Sequence, residues 1–221
     1  MALSPEKFEQ HLATATAPMP AYMLAGDEHL LLFEAADALR RRARELGYSE
    51  REVYEAEPGF DWDELARAGA SLSLFASRRV LDLRLPTGRP GTEGAAAITA
   101  LLDSPPPDTV LLVTSPTWSK SHETAWVNAL AAVGPVVVYW PLKPHELPDW
   151  IARRATRAGL KLTPDAVGLL VERMEGNLLA AAQEIDKLVL LAQGRALDAG
   201  ALDALVADSA RFDVFRLVDV A

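Results

Sequence analysis

"DTVLLVTS" at residues 108–115 is a nearly continuous run of apolar and β-branched residues that ends just before Pro116. A run of this length and composition predicts a strand that is buried on both faces. Two similar runs, "AYMLAG" at 21–26 and "GPVVVYWP" at 134–141, predict two more strands of the same kind. Strands buried on both faces are typical of a parallel sheet covered by helices on each side, so the sequence predicts an α/β fold.

Helical and strand patterns alternate along the sequence up to Pro141. Alternating residues predict two further strands, at 51–57 and 78–85. Ser4 before a proline, and Asp61 at the start of "DWDELARAGA", each supply a side-chain oxygen that can begin a helix. Helices are expected at 5–14, 29–46, 61–70 and 95–103, and a fifth helix is expected to follow the 108–115 strand and end near Ala132.

The pattern changes after Pro141. From there the sequence has helical segments joined by short Gly, Pro or Asn punctuation, with no strand signal of any length. We therefore expect an α/β domain at 1–141 and a small all-helical domain at 142–210. Residues 211–221, "RFDVFRLVDVA", start another amphipathic helix whose apolar pattern is cut at Ala221, which predicts that a further C-terminal helical domain is missing from this chain.

The chain is acidic and has no cysteine. Its formal net charge of −9 disfavours strong nucleic-acid binding by the chain alone, although arginine clusters at 40–44, 78–79 and 153–157 leave a local basic face open. The lack of cysteine excludes disulfides, cysteine-ligated zinc and thiol catalysis. The first residues do not have the pattern of an export signal, and the apolar runs are far shorter than a membrane span, so we expect a soluble, intracellular protein.

The turn after the first buried strand is where an α/β nucleotide hydrolase carries its phosphate loop. Such a loop needs several glycines, a lysine for charge, and a serine or threonine for magnesium. This chain has "AGDEHLLLFEA" instead, in which Asp27 and Glu28 would repel a triphosphate, and it has no Gly-Lys pair. The sequence therefore predicts that the chain does not hydrolyse ATP, and an active hydrolase with an atypical phosphate loop is the alternative.

Other catalytic and metal sites also lack the residues that they need. The four histidines are scattered, and none has a second ligand at metal-binding spacing; they are His11, His29, His122 and His145. No serine lies in a nucleophile elbow. We therefore expect no catalytic residue, no metal and no cofactor.

The connecting stretch "SLSLFASRR" at 71–79 has two interpretations. In the first, its three large apolar side chains pack beneath the sheet as a satellite cluster, which composition alone favours. In the second, the small residues between them let a slim loop present the apolar side chains to a partner, with the arginines at 78–79 as a polar rim. An apolar centre with a charged edge is the anatomy of a docking peptide.

Several segments together resemble the delta subunits of the bacterial DNA polymerase III clamp loader. "LSLFASRR" follows the helix "DWDELARAGAS" and precedes an alternating strand, as in that family. The other matching segments are "AYMLAGDEHLLL" near the start, "LLLVTSPTWSKSHETAWVNAL" at 111–130, "LPDWIARRA" at 147–155, "EGNLLAAAQEIDKL" at 175–188 and "FDVFRLVDV" at 212–220. Because these segments cover most of the chain in the right order, the resemblance does not depend on one motif.

The resemblance implies a fold and a site. The first domain would be a degenerate AAA+ α/β module without a working phosphate loop, the second a helical lid, and the missing third a helical collar. Contacts with the sliding clamp would fall on Leu72, Ser73, Leu74 and Phe75, with Leu72 as an apolar wedge and the Leu-Phe pair as the main anchor. The stretch 175–177 lies where active relatives place a sensor helix, and we expect it to be a helix junction only.

The resemblance also implies partners. They would be the sliding clamp (beta), the gamma or tau and delta prime subunits of the loader through the collar, and primer–template DNA only within the assembled loader. The chain would open the clamp without hydrolysing ATP, and it would belong to the DNA polymerase III holoenzyme with no catalysis of its own. It would make no membrane contact and would lie in the bacterial cytoplasm.

Overall fold

A computed structural model of the chain describes residues 2–70 and 78–205. The chain divides into two compact units, Met1–Pro141 and Leu142–Ala221, and each unit has hydrophobic core clusters of its own. Within the described ranges, no helix is both long enough and apolar enough to cross a bilayer.

The first unit alternates strands and helices, so the predicted α/β class is confirmed. Its strands are β1 (Ala2–Leu3), β2 (Ala21–Ala25), β3 (Glu50–Glu55), β4 (Arg79–Arg84), β5 (Thr109–Ser115) and β6 (Val136–Val138). Its helices are α1 (Pro5–Thr14), α2 (His29–Glu45), α3 (Trp62–Ala70), α4 (Gly91–Asp103) and α5 (Ala125–Val133), and a short 3-10 turn lies at Lys120–His122.

The six strands form one parallel sheet in the order β1-β6-β2-β5-β4-β3. Ala25 pairs with Ser115 at the carboxyl end of the β2–β5 ladder, and Arg84 pairs with Thr114 at the carboxyl end of the β4–β5 ladder. The carboxyl ends of these three strands therefore lie at one edge of the sheet. In open α/β sheets, that edge is where ligands bind.

Helices cover both faces of the sheet, because successive side chains of a strand point to opposite sides. On β5, Leu112 packs with the helices α1 and α2, whereas Leu111 and Val113 pack with α3, α4 and α5. All three side chains are nearly or fully buried. This two-sided burial explains why the strand reads as a continuous apolar run.

A glycine in α4 allows α3 to pack closely against it. A Cβ atom added at Gly94 would lie 2.3 Å from Cζ2 of Trp62, the first residue of α3. The predicted helix at 95–103 therefore started too late. The helix begins at Gly91, and Gly94 is a buried packing position within it.

The second unit is mainly helical. It contains α6 (Leu147–Arg157), α7 (Pro164–Met174) and α8 (Leu178–Ala192), preceded by a 3-10 turn at Pro144–Glu146, and residues 199–205 are also helical. Between α7 and α8, Gly176 has a φ of +83°, and the Asn177 side chain accepts the N–H of Ala180 at 3.0 Å. These residues form a helix junction, as predicted.

Three short strands were missed in the sequence. The prediction of no strand after Pro141 is wrong, because β7 (Lys161–Leu162) and β8 (Ala196–Leu197) form a parallel pair. The third, β1, pairs with β6 at the edge of the large sheet. Each of these strands has only two residues, which is too short to produce a period-two pattern.

Replacing Gly94 with alanine should destabilise the chain. Alanine favours a helix over glycine by about 1 kcal/mol, but its Cβ would collide with the Trp62 ring, and overpacking costs about 1–3 kcal/mol. We expect a net loss of up to about 2 kcal/mol in the free energy of unfolding, measured by urea denaturation. Gly168→Ala is the matched control: Gly168 lies within α7 with no atom within 4 Å of its added Cβ, so it should gain about 0.5–1 kcal/mol. Equal effects of the two changes would contradict the packing argument.

Candidate functional site

The segment predicted to carry the site, Leu72, Ser73, Leu74 and Phe75, lies outside the described residues. The structure does describe the elements joined to it, which are α3 before it and β4 after it. Because a chain can span only a limited distance per residue, these two ends restrict where residues 71–77 can run.

The helix α3 is fixed along its length. At its start, Oδ1 of Asp61 accepts the N–H of Asp63 at 3.0 Å, so the predicted cap is confirmed. In its middle, Leu65 is fully buried in the core beneath the sheet. In its last turn, a Cβ added at Gly69 would lie 2.4 Å from Cδ1 of Leu101 in α4. Core packing therefore sets the direction in which α3 ends.

On the other side of the segment, Arg78 is held by contacts with neighbouring loops. Its Nε donates to Oδ1 of Asp108 at 3.1 Å, and its Nη1 donates to the carbonyl oxygen of Leu46 at 3.0 Å. Its guanidinium also lies over the Tyr48 ring, 5.7 Å from the centroid. About half of the side chain is exposed. Arg78 therefore anchors the start of β4 from the surface.

Arg79 is buried, with 6% of its surface exposed. Its Nη2 donates to the carbonyl oxygen of Ala68 in α3, and its Nη1 lies 3.2 Å from Oε1 of Glu52 in β3. The predicted polar rim of two arginines is therefore wrong for Arg79, because its charge is paired inside the domain. This contact between the two ends of the segment was not predicted from the sequence.

Glu52 extends this contact to a third residue. Its Oε2 accepts the Tyr54 hydroxyl at 2.5 Å. Burial, together with this hydrogen bond, raises the pKa of Tyr54, so the hydroxyl stays protonated and continues to donate. A chain of hydrogen bonds, partly exposed at Glu52 and buried at Arg79, thus runs from β3 to the last turn of α3. We call Tyr54, Glu52, Arg79 and the Ala68 carbonyl the α3–β4 bridge.

A second charged group lies on the opposite face of β4. The fully buried Asp82 accepts Nε of Arg40 at 2.9 Å and Nε of Arg51 at 2.8 Å. Burial alone would lower the pKa of Arg40, but the hydrogen bonds that it donates to Asp82 and Asp37 raise that pKa above its ordinary value, so Arg40 stays charged. Part of the arginine cluster at 40–44 is thus paired within the fold.

The turn at the carboxyl end of β2, where a phosphate loop would lie, is short and hydrogen-bonded to its neighbours. Its three residues, Gly26–Glu28, connect β2 to α2. The N–H of Gly26 donates to the Ser115 carbonyl at 3.0 Å, and that of Glu28 donates to the Tyr139 carbonyl at 3.1 Å. A Cβ at residue 26, where φ is +134°, would lie 2.1 Å from the Tyr139 oxygen. Amides that would point at a phosphate are therefore bonded to the protein's own carbonyls.

Two side chains also fix this turn through hydrogen bonds to neighbouring backbone groups. Oδ1 of Asp27 accepts the backbone N–H of Trp118 at 3.2 Å, and Nε2 of His29 donates to the Pro116 carbonyl at 3.0 Å. Burial raises the pKa of Glu28 above its usual range. The turn thus presents carboxyl groups, which do not favour binding of a polyphosphate.

Three of the four histidines have hydrogen-bond partners within the protein, which include the Pro116 carbonyl for His29, whereas His145 is exposed. Nδ1 of His122 accepts the N–H of Ser119 at 2.9 Å, and Nε2 of His11 lies 3.2 Å from the Tyr22 hydroxyl. Among residues 2–70 and 78–205, no group of three or more His, Asp or Glu side chains is arranged to hold a metal ion.

The fold is similar to the folds of solved AAA+ proteins. Over 91% of this chain, the structure is similar to the Bacillus subtilis DNA clamp loader delta protein, with a TM-score of 0.69, 22% identity and 62% of that chain covered. It is also similar to the Thermotoga maritima RuvB Holliday junction branch migration motor, with a TM-score of 0.55, 13% identity, and coverage of 91% of this chain and 67% of that one. At these identities, the likeness concerns the fold alone.

The family is shown by the sequence itself. The family described as DNA polymerase III, delta subunit, matches residues 22–138, which is more than half of the chain. DNA polymerase III subunit delta of Escherichia coli (strain K12) is 36% identical over 203 residues, covering 90% of this chain and 58% of the relative. Its counterpart in Haemophilus influenzae is 27% identical over 221 residues, covering 97% of this chain and 63% of the relative. This chain belongs to the DNA polymerase III delta subunit family, and it spans about three-fifths of the length of these relatives.

Replacing Glu28 with glutamine should change stability in a pH-dependent way. Burial raises the pKa of Glu28 in the folded chain, so its contribution to stability is full below the unfolded pKa and is lost as pH rises through the folded pKa. The variant should therefore match the wild type near pH 4 and exceed it at pH 7, by less than about 1 kcal/mol because the group is partly exposed. Urea denaturation across this pH range measures the difference. A difference that stays constant with pH would contradict the expectation.

Proposed function

We propose that this chain is the clamp-binding part of a DNA polymerase III clamp loader and that it acts in DNA replication. Membership of the delta subunit family is the observation that carries the proposal. We assign the contact with the ring-shaped sliding clamp to Leu72, Ser73, Leu74 and Phe75. The α3–β4 bridge supports this assignment, because a fixed frame lowers the entropy lost when a short segment binds.

The apolar side chains of the segment would provide the binding energy. Leu74 and Phe75 are the anchor that enters an apolar pocket of the clamp, and Leu72 is the wedge beside it. Full burial of two leucines and a phenylalanine yields roughly 5–8 kcal/mol before ordering costs are subtracted.

Opening of the clamp follows from differential binding. A closed ring opens only if a partner binds the open or distorted form better, by an amount comparable to the free energy of opening. The anchor holds the chain on the clamp, and Leu72 together with α3 then presses on an adjacent element of the ring. The helix is suited to this role, because it is packed firmly against α4 and the sheet.

In this proposal the chain does not hydrolyse ATP. The hydrogen-bonded turn at Gly26–Glu28 supports this, since two of its three amides donate to carbonyl oxygens of β5 and of the residue after β6. Nucleotide binding elsewhere in the loader would control whether the segment is exposed. The chain would thus contribute binding and mechanical force to the holoenzyme, with no catalysis or cofactor of its own.

The remaining assignments follow the family. We propose that 1–141 is the degenerate AAA+ domain, 142–210 the lid, and 211–221 the start of the collar. The collar would join the gamma or tau and delta prime subunits, and primer–template DNA would be contacted only in the assembled loader. The bacterial cytoplasm is the proposed location.

Changing Leu74 and Phe75 together to alanine should abolish clamp binding. The double change removes the anchor, and it should leave the melting temperature and circular dichroism spectrum nearly unchanged if these side chains serve the partner. Gel filtration and surface plasmon resonance with the cognate sliding clamp measure binding. Phe33→Ala combined with Leu190→Ala is the matched control, because these side chains are 49% and 78% exposed elsewhere on the chain. A large loss of stability in the Leu74/Phe75 variant would instead support the buried interpretation.

The chain should show no saturable binding of a fluorescent ATP analogue with magnesium. A second variant, with Asp27→Asn and Glu28→Gln, separates the two causes: it removes the negative charges but leaves the backbone amides bonded to Ser115 and Tyr139. We expect no binding by this variant either, as measured by fluorescence anisotropy. Saturable micromolar binding by the wild type would support the alternative, an active hydrolase with an atypical phosphate loop.

A further inference from the structure

The Arg79 side chain connects the two ends of the 71–77 segment directly. Arg79 is the first residue of β4, and it donates to the carbonyl of Ala68, 11 residues earlier and in the last turn of α3. This contact closes a loop that contains the whole segment. Arg79 is also nine-tenths buried, so water does not compete strongly for the guanidinium.

The guanidinium contacts several elements at once. Nη2 donates to the Ala68 carbonyl, Nη1 lies 3.2 Å from Oε1 of Glu52, and Nε lies 3.5 Å from the Thr109 hydroxyl of β5, in the fixed fork geometry of arginine. Glu52 is in turn held by the Tyr54 hydroxyl. The end of α3 is therefore tied through one side chain to both β3 and β4.

We propose that Arg79 is a positioning residue for clamp binding, a role that rests on the proposed function. By tying α3 to β4, it holds the two ends of the 71–77 segment at a fixed separation and orientation. A segment with fixed ends has fewer conformations to lose when it binds. Arg79 thus acts on clamp affinity without touching the clamp.

A matched control is available on the opposite face of the same strand. Arg40 is buried to a similar degree, with 13% of its side chain exposed compared with 7% for Arg79, and it binds Asp82 of β4. Its contacts are with α2 and β4, and they do not involve α3. Arg40→Gln therefore removes a buried ionic contact of the same strand while leaving the α3–β4 bridge in place.

The test compares Arg79→Gln, Arg79→Lys and Arg40→Gln in two measurements. Hydrogen–deuterium exchange of peptides covering 71–77 reports the order of the segment without any partner, and surface plasmon resonance reports affinity for the cognate clamp. We expect Arg79→Gln to increase the exchange rate in 71–77 and to weaken clamp binding about tenfold, which corresponds to about 1.4 kcal/mol. Arg79→Lys keeps a cation with a single donor group and should be intermediate. Arg40→Gln should lower stability but change neither measurement.

The outcomes separate this proposal from the proposed function. The positioning role would be overturned if a folded Arg79→Gln or Arg79→Lys variant had the same exchange rate in 71–77, or the same clamp affinity, as the wild type. An equal loss of affinity in Arg40→Gln would overturn it too, because the effect would then follow general stability. If the wild type fails to bind the clamp, the proposed function fails, and the exchange measurement alone decides whether Arg79 orders the segment.

Discussion

Backbone hydrogen bonds join three strand ends at the carboxyl edge of the sheet. The Tyr139 N–H donates to the Ala25 carbonyl at 2.7 Å, and the Gly26 N–H donates to the Ser115 carbonyl at 3.0 Å. Only glycine fits at 26, since a Cβ would collide with the Tyr139 oxygen. Ligands of open α/β sheets bind at this edge. In this chain the backbone groups at that edge are bonded to one another, so the sheet acts as a rigid support. The proposed function therefore depends on the connection between α3 and β4.

Strand β4 is the part of the sheet on which this connection depends. It lies between β5 and β3, and each of its faces holds an ionic pair with at least one buried member: Arg79 with the partly exposed Glu52 on one side, and Asp82 with Arg40 on the other. Removing one partner of a fully buried pair typically costs 3–5 kcal/mol, whereas an apolar pair of the same volume is often as stable. Buried charges therefore add little net stability, but they restrict which elements can meet. In this domain they specify how α2, α3 and β3 are arranged around one strand.

The sequence predicted the large features of the fold, because they depend on apolar patterns. The strand at 108–115 was recognised because both of its faces are buried, and Ser4 correctly predicted the start of α1. Two kinds of feature were not predictable from such patterns. Strands of two residues, such as β7, have no period, and the packing role of Gly94 depends on the Trp62 ring, which is distant in the sequence.

The bridge could have been inferred from strand geometry. Successive side chains of a strand point to opposite faces, so two adjacent arginines at the start of β4 cannot both form a rim. Arg79 shares its face with Leu81 and Leu83, both fully buried beneath α3 and α4. An arginine on that face needs an anionic partner, and the parallel register places Glu52 opposite Leu81, diagonally adjacent to Arg79 on the neighbouring strand. The same reasoning does not apply to Leu72, Leu74 and Phe75, since they belong to neither strand nor helix pattern. Their proposed role rests on the family resemblance alone, whereas the contacts of Arg79 follow from physical constraints on β4.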